Sequence, residues 1–155
     1  MKHFIPYTAP TIRKKYIKKI SEFLEIGWLA SGNEIETLEN TISTLVNSHA
    51  TTCSSGTTAL ECVAEALRID SGYYVYVPNI TFVASAAAFA RTGAQVTLVD
   101  VDQQSGLLNK EILRIATEQN PPPPDKQMAI VVVHLGGRYV NVGEMREAFP
   151  EALII

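Results

Sequence analysis

From residue 50 onward, short β-rich runs alternate with helical patterns, and this alternation limits the possible folds more than any other feature. The predicted helices include one with Leu60, Val63 and Leu67 on one face, and a short Ala-rich segment at 82–90. Alternating strands and helices form a mostly parallel sheet that is covered by helices on both sides. The predicted strands lie at 50–53, 73–77, 95–99, 128–133 and 152–155.

The first 48 residues follow a different pattern, with an extended arm and two helices. Ile12, Tyr16, Ile20 and Leu24 recur at steps of four, which predicts an amphipathic helix. Gly27 is predicted to end this helix, and a second helix is predicted at 34–46. The sequence therefore predicts two parts: residues 1–48 are an N-terminal arm with helices, and residues 49–155 are an α/β domain.

Composition narrows the class of protein. The 155 residues have a formal net charge of -3, which argues against nucleic acid or an anionic membrane as a partner. No apolar run approaches the ~20 residues of a membrane span. Cys53 and Cys62 have no zinc-type spacing, so we interpret them as buried, reduced thiols of a cytoplasmic protein.

The segment Ser54-Ser55-Gly56-Thr57-Thr58 is the best candidate for a binding site. It lies where a predicted strand leads into a helix, and a helix N-terminus offers unpaired N–H groups and a partial positive charge. Gly56 allows close approach of a ligand, and Ser55 and Thr57 add hydroxyl groups, so the segment suits a phosphate. An ordinary N-cap is the alternative. The segment matches neither the Walker loop nor the dinucleotide motif.

Two further positions lie at predicted strand ends. Phe82 follows the strand that Pro78 ends, and its ring there could stack on a flat heterocycle. A core position under the following helix is the alternative, which the sequence alone favours. Asp100 and Asp102 close the next strand. Two carboxylates are a thin ligand set, so we predict no metal site there.

Six ordered segments together resemble the DegT/DnrJ/EryC1/StrS family of sugar aminotransferases. They extend over nearly the whole chain, from Ile5 to Ile155, and the ordered set is more specific than any one member. The segments are Ile5-Pro6-Tyr7, Gly27-Trp28-Leu29-Ala30-Ser31-Gly32, Ser55-Gly56-Thr57-Thr58-Ala59-Leu60, Val77-Pro78-Asn79-Ile80-Thr81-Phe82-Val83-Ala84, Gly93-Ala94 with Val99-Asp100-Val101-Asp102, and Val133-His134-Leu135-Gly136-Gly137.

The resemblance implies a fold, a cofactor and a reaction. The fold is the large domain of a fold-type-I transferase, and the enzyme is a homodimer that uses pyridoxal 5'-phosphate. The reaction moves an amino group from glutamate or glutamine to a keto sugar, normally nucleotide-linked, in polysaccharide or antibiotic sugar biosynthesis. Cofactor-binding residues are then Ser55, Gly56 and Thr57 at the phosphate and Phe82 on the ring. Substrate-binding residues are Trp28, Ser31 and Gly32. His134 is assigned no catalytic role, and a hydrogen-bonded histidine at a strand end is the alternative. The match of Asp100 and Asp102 to the family's own Asp-Val-Asp implies a turn or cap role.

The resemblance also implies two residues that we expect beyond Ile155. These are the Asp that pairs with the pyridine nitrogen and the Lys that forms the Schiff base, and the chemistry needs both. We therefore expect an incomplete large domain that is inactive by itself. The alternatives are a non-catalytic aminotransferase-like protein, or a module that binds phosphate ligands or partners. The family more often has Tyr where this sequence has Gly136.

Overall fold

A computed structural model describes residues 6, 8–27, 29–30 and 32–155 of the chain. Internal contacts divide the chain into two compact units, Met1–Thr52 and Cys53–Ile155. The predicted division after residue 48 stays a prediction. Within the described ranges, no helix combines the length and the apolar character needed to cross a bilayer.

The N-terminal unit contains two helices, α1 at Lys14–Ile26 and α2 at Asn33–Val46. Helix α1 ends where predicted, because Gly27 adopts a left-handed conformation with φ +74° and its N–H donates to the Leu24 carbonyl. Helix α2 ends at Asn47, which also has a positive φ. Neither helix contains a buried residue.

The second unit is an α/β unit built on four parallel strands in the order β2-β1-β3-β4. This arrangement confirms the predicted fold class. The strands are β1 at Tyr73–Pro78, β2 at Gln95–Val99, β3 at Gln127–Ile130 and β4 at Leu153–Ile154. The helices are α3 at Gly56–Ala66, α4 at Ala84–Ala90, α5 at Lys110–Gln119 and α6 at Val142–Ala148.

Alternation along β1 produces a core on each face of the sheet. Val75 and Val77 lie in one cluster with the buried side chains of α3 and α4, including Phe89. Tyr74 and Tyr76 lie in a second cluster, which includes residues of α5 and α6. Successive side chains of a strand point to opposite faces, so both faces need an apolar cover. The helices on both sides provide it.

Two sequence predictions are wrong. Residues 50–53 were expected to form a strand, but no described strand forms a hydrogen-bonded ladder with them. A strand needs a neighbour for its N–H and C=O groups, so an isolated apolar run does not qualify. The two cysteines were expected to be buried, and both are exposed. Cys62 lies on α3 among exposed residues, whereas the core side of that helix carries Ala64.

Candidate functional site

The N-terminus of α3 is exposed and has a side-chain cap. Ser55 precedes the helix in an extended conformation, and its Oγ accepts a hydrogen bond of 3.1 Å from the Thr58 N–H. The Ala59 N–H donates to the Ser55 carbonyl. The N–H groups of Gly56 and Thr57 come before this first intrahelical bond, so the helix itself provides no acceptor for them. They point out of the positive end of the helix dipole.

Open space surrounds Gly56. Beyond its chain neighbours and the backbone of its own helix, a Cβ atom added at this position would meet no atom of the described residues within 4 Å, and the φ of Gly56 lies outside the left-handed range. Neither packing nor backbone conformation within the described residues therefore demands glycine here. Gly56 and Thr57 are both exposed. A phosphate group fits this opening, because it can approach the N–H groups without displacing a side chain.

Three hydroxyl groups lie together beside this helix end. Thr58 Oγ1 is 3.0 Å from Ser55 Oγ and 3.3 Å from Ser54 Oγ. Ser55 therefore acts as an N-cap, which was the alternative that the sequence left open. The part of Thr58 in this cluster was not predicted. A capping serine followed three positions later by threonine is a signal that sequence reasoning could have used.

Phe82 lies just after the carboxyl end of β1 and is 72% exposed. The alternative of a core position, which the sequence alone favoured, is therefore wrong. Phe82 precedes α4, whose first buried residue is Ala84. The Thr81 hydroxyl is 2.8 Å from the Ser85 hydroxyl and ties this segment to the start of α4. An exposed ring at this place is available for stacking on a flat ligand.

The strand order reverses between β1 and β3. From β1 the chain continues to β2 on one side, whereas from β3 it continues to β4 on the other side. The carboxyl ends of strands at such a reversal are where ligands bind in open parallel sheets. Phe82 follows β1 at this edge. Helix α3 leads into the start of β1 and packs beside α4, so its N-terminus faces the same edge.

His134 lies three residues beyond the last bond between β3 and β1. Its Nδ1 accepts a hydrogen bond of 3.1 Å from the Val140 N–H, and the residue is exposed. This confirms the interpretation of His134 as a hydrogen-bonded histidine at a strand end. Its ring lies 6.2 Å from the exposed Tyr139 ring, measured between ring centres.

Asp100 and Asp102 have local roles in a turn. Asp100 Oδ1 accepts from the Val101 N–H at 2.8 Å. Asp102 Oδ1 accepts from the Ser105 hydroxyl at 2.7 Å and from its N–H at 2.8 Å, and these bonds hold the pKa of Asp102 below its usual range. The turn interpretation is confirmed. In the part of the chain that the structure describes, no three His, Cys, Asp or Glu residues form a group suited to a metal ion.

The predicted substrate segment lies in the N-terminal unit. Trp28 and Ser31 are outside the described residues. Gly32 is the N-cap of α2, and its carbonyl accepts from the Ile35 and Glu36 N–H groups. Gly32 also lines a groove of about 480 Å³ together with Phe23, Ile26 and Ala30. Its role toward a substrate stays a prediction.

The α/β unit thus has the fold and edge geometry of a protein that binds a phosphate-bearing ligand at the carboxyl ends of parallel strands. Within that class, the match over residues 10–151 is to the DegT/DnrJ/EryC1/StrS aminotransferase family, and the chain belongs to this family. The resemblance that the sequence motifs suggested is therefore confirmed.

Known relatives agree with this assignment. The chain is 32% identical over 137 residues to the spore coat polysaccharide biosynthesis protein SpsC of Bacillus subtilis (strain 168), covering 88% of this chain and 34% of SpsC. A DegT DnrJ EryC1 StrS aminotransferase from Brucella abortus superposes with a TM-score of 0.77 at 28% identity, covering 89% of this chain and 38% of that one. Spr1654 from Streptococcus pneumoniae, in its PMP-form, superposes with a TM-score of 0.79 at 25% identity. This match covers 94% of this chain and 35% of that one. The chain spans about a third of the length of these relatives.

Proposed function

We propose that this chain is the cofactor-phosphate-binding part of a pyridoxal-phosphate-dependent sugar aminotransferase. The carrying observation is the open N-terminus of α3 at Gly56 and Thr57, at the same sheet edge as the exposed Phe82. The proposed reaction moves an amino group from glutamate or glutamine to a nucleotide-linked keto sugar, in polysaccharide or antibiotic sugar biosynthesis. The proposed enzyme is a cytoplasmic homodimer.

Each residue has a separate task in this proposal. The N–H groups of Gly56 and Thr57 hold the cofactor phosphate, and the Thr57 hydroxyl adds a donor. Ser55 fixes the helix end by capping it. Phe82 lies against one face of the cofactor ring and restricts its tilt. Once bound, pyridoxal phosphate supplies the electron sink that amino transfer requires. Trp28, Ser31 and Gly32 are proposed to contact the substrate.

Binding without turnover is a second candidate, and the described lysines favour it. Lys110 Nζ lies 3.0 Å from Glu144 Oε2, and this hydrogen bond raises the pKa of Lys110. A protonated ammonium group is not a nucleophile. Lys126 donates to Gln95 Oε1 at 3.2 Å, and it precedes β3 at the amino edge of the sheet, opposite the proposed site. Lys110 is thus paired with a carboxylate, and Lys126 lies at the opposite edge of the sheet.

The first test is equilibrium binding of pyridoxamine 5'-phosphate, measured by calorimetry on this chain. Pyridoxamine phosphate cannot form a Schiff base with lysine, so its affinity reports the site alone. We expect saturable binding, competition by inorganic phosphate, and at least a tenfold loss in Gly56→Ala and in Phe82→Ala. Both substitutions leave the core intact because the affected positions are open or exposed.

Val83→Ala is the matched control for Phe82→Ala, since Val83 is its exposed apolar neighbour. Binding that is absent in wild type, or that survives both site variants, would contradict the proposal. Borohydride reduction with pyridoxal phosphate tests the second candidate, binding without Schiff-base chemistry. A stoichiometric mass gain at one lysine of this chain would exclude binding without Schiff-base chemistry.

A further inference from the structure

We propose that His134 is a ligand-binding residue whose Nε2–H donates a hydrogen bond to an oxygen atom of the ligand held at the carboxyl edge. This inference rests on the proposed function, because the ligand is the phosphate-bearing group described above. It adds a recognition group on the β3 side of the crevice. The predicted binding residues Ser55, Gly56, Thr57 and Phe82 all lie on segments that lead into or follow β1.

The first argument is position. Strand β3 pairs with β1 up to the bond from the Val131 N–H to the Tyr76 carbonyl, and His134 follows shortly after it. Phe82 lies at the corresponding end of β1. These two strands flank the point where the strand order reverses, which is the preferred ligand crevice of a parallel sheet. His134 and Phe82 are therefore on the two neighbouring strand exits of one crevice.

The second argument is the protonation of the ring. A backbone N–H can only donate, so Nδ1 must present a lone pair to the Val140 N–H at 3.1 Å. The proton of the neutral imidazole is then on Nε2. Val140 is buried, so its N–H is a fixed anchor. The bond thus selects one tautomer and aims one N–H donor away from the loop.

The third argument is that the loop is shaped by its own contacts. Gly136 and Gly137 have φ values of +64° and +78°, which let the chain turn back sharply after His134. Arg138 Nη1 then donates to the Ser105 carbonyl at 2.6 Å and anchors the loop to the segment that follows β2. Within the described ranges, Nε2 of His134 makes no hydrogen bond to the protein. The loop holds the ring by one nitrogen and presents the other.

The test uses two substitutions that each keep one half of the imidazole. In His134→Asn, the amide oxygen can replace Nδ1 and keep the Val140 contact, but nothing occupies the Nε2 position. In His134→Gln, the longer amide can place a donor near the Nε2 position, but the Val140 contact is lost. We expect pyridoxamine phosphate to bind about five- to tenfold more weakly to His134→Asn, and within about threefold of wild type to His134→Gln.

A purely structural histidine predicts the reverse order. His134→Asn would then bind like wild type, and His134→Gln would be the weaker variant, which would overturn the inference. Nitrogen-detected NMR of the imidazole gives a second readout. We expect the Nε2–H tautomer in the free chain and a saturable shift of that signal on addition of pyridoxamine phosphate, with the signal assigned by its loss in His134→Asn.

The two proposals fail in different ways. Binding that Gly56→Ala weakens, but that neither His134 variant changes and that leaves the Nε2 signal unmoved, would overturn the role of His134 alone. Absence of any pyridoxamine phosphate binding to wild type would overturn the proposed function, and the role of His134 with it.

Discussion

The two units of this chain contain helices that the same periodicity predicts, yet the helices differ in burial. Helices α1 and α2 have no buried residue, and Ile20 and Leu24 of α1 are both more than half exposed. In the α/β unit, Leu113 of α5 and Phe89 of α4 are fully buried. A spacing of three and four residues thus predicts that a helix forms, whereas a neighbouring sheet face decides whether its apolar side is covered.

Side-chain capping of helix N-termini also differs between the two units. Helices α3, α5 and α6 begin with a side-chain cap from Ser55, Asn109 and Asn141. Helices α1 and α2 begin at Arg13 and Gly32, which provide none. Three of the four helices of the α/β unit are therefore stabilised at their N-termini by side-chain caps as well as by packing, whereas α4, which follows Val83, has none. The helices of the N-terminal unit lack such N-caps and have local stop signals only at Gly27 and Asn47.

The largest expected effect on stability comes from truncation of one buried leucine. Leu113→Ala removes a side chain that is 0% exposed, and we expect it to lower the free energy of unfolding by about 2–5 kcal/mol. Leu24→Ala, the same change at a position that is 59% exposed, is expected to cost less than about 0.5 kcal/mol. Urea unfolding followed by circular dichroism measures both.

Equal costs for the two leucines would show that α1 is packed in solution as tightly as α5, and the contrast between the units would fail. If Leu113→Ala does not fold, Ile130→Val provides a milder version at another fully buried site. Its expected cost is about 0.5–1.5 kcal/mol.

The buried Tyr76 is expected to make the stability of the α/β unit depend on pH. The Tyr76 hydroxyl donates to the Asn120 carbonyl at 2.6 Å, and burial raises its pKa from 10.0 to about 12, with a smaller contribution from Tyr74. Tyr76→Phe is expected to cost about 1 kcal/mol at neutral pH. Because the folded-state pKa is raised, this stabilisation is complete below pH 10 and is lost as pH rises toward 12.

Urea titrations at neutral pH and at roughly pH 11 test this expectation, since wild type should lose more stability than Tyr76→Phe over that interval. Tyr16→Phe on α1 is the control. Tyr16 is about half exposed, so its hydroxyl is expected to matter little at either pH. A constant difference in stability between wild type and Tyr76→Phe would contradict the raised pKa of the buried Tyr76 hydroxyl.

The smallest expected effect concerns the caps. Asn109→Ala removes the hydrogen bond of 2.9 Å from the Ile112 N–H, and we expect a loss of about 1 kcal/mol. Arg13→Ser introduces a cap that α1 lacks, and we expect a gain of about 0.5–1 kcal/mol in the local stability of α1. Amide hydrogen exchange in α5 and α1 reports each change. Unchanged exchange in α1 would mean that its ends do not limit its stability.

The sequence predicted the helices and most strands because their signals are local. Gly27 ends α1 as expected, and the apolar run of β3 is buried as a parallel strand should be. The strand predicted at residues 50–53 is absent because a strand needs a neighbouring strand, which no local sequence pattern reveals. The core alternative for Phe82 and the predicted burial of Cys62 are wrong for a related reason, because the exposure of a side chain depends on how its segment packs against the sheet.

The candidate site was predictable in part. The segment Ser55-Gly56-Thr57 predicts the N-terminus of α3, because capping residues and glycine mark such helix ends in a sequence. The bond between His134 and the Val140 N–H was not predictable, since it depends on the turn that Gly136 and Gly137 allow. The Val140 N–H and His134 Nδ1 come within hydrogen-bonding distance only after the loop has folded back.

The pairing of β1 with both β2 and β3 has a consequence for folding during synthesis. The β1–β2 contact closes a loop of roughly 20 residues, whereas Tyr73 meets Gln127 only after a loop of about 50 residues has closed. At ribosomal rates of roughly 5–20 residues per second, the β3 side of β1 stays uncovered for a few seconds after β2 emerges. During that interval β1 is an edge strand with five consecutive residues that become buried in the folded protein, from Tyr74 to Pro78. The pairing of β3 with β1, which brings the exits of these two strands together, is thus also the step that covers this exposed edge.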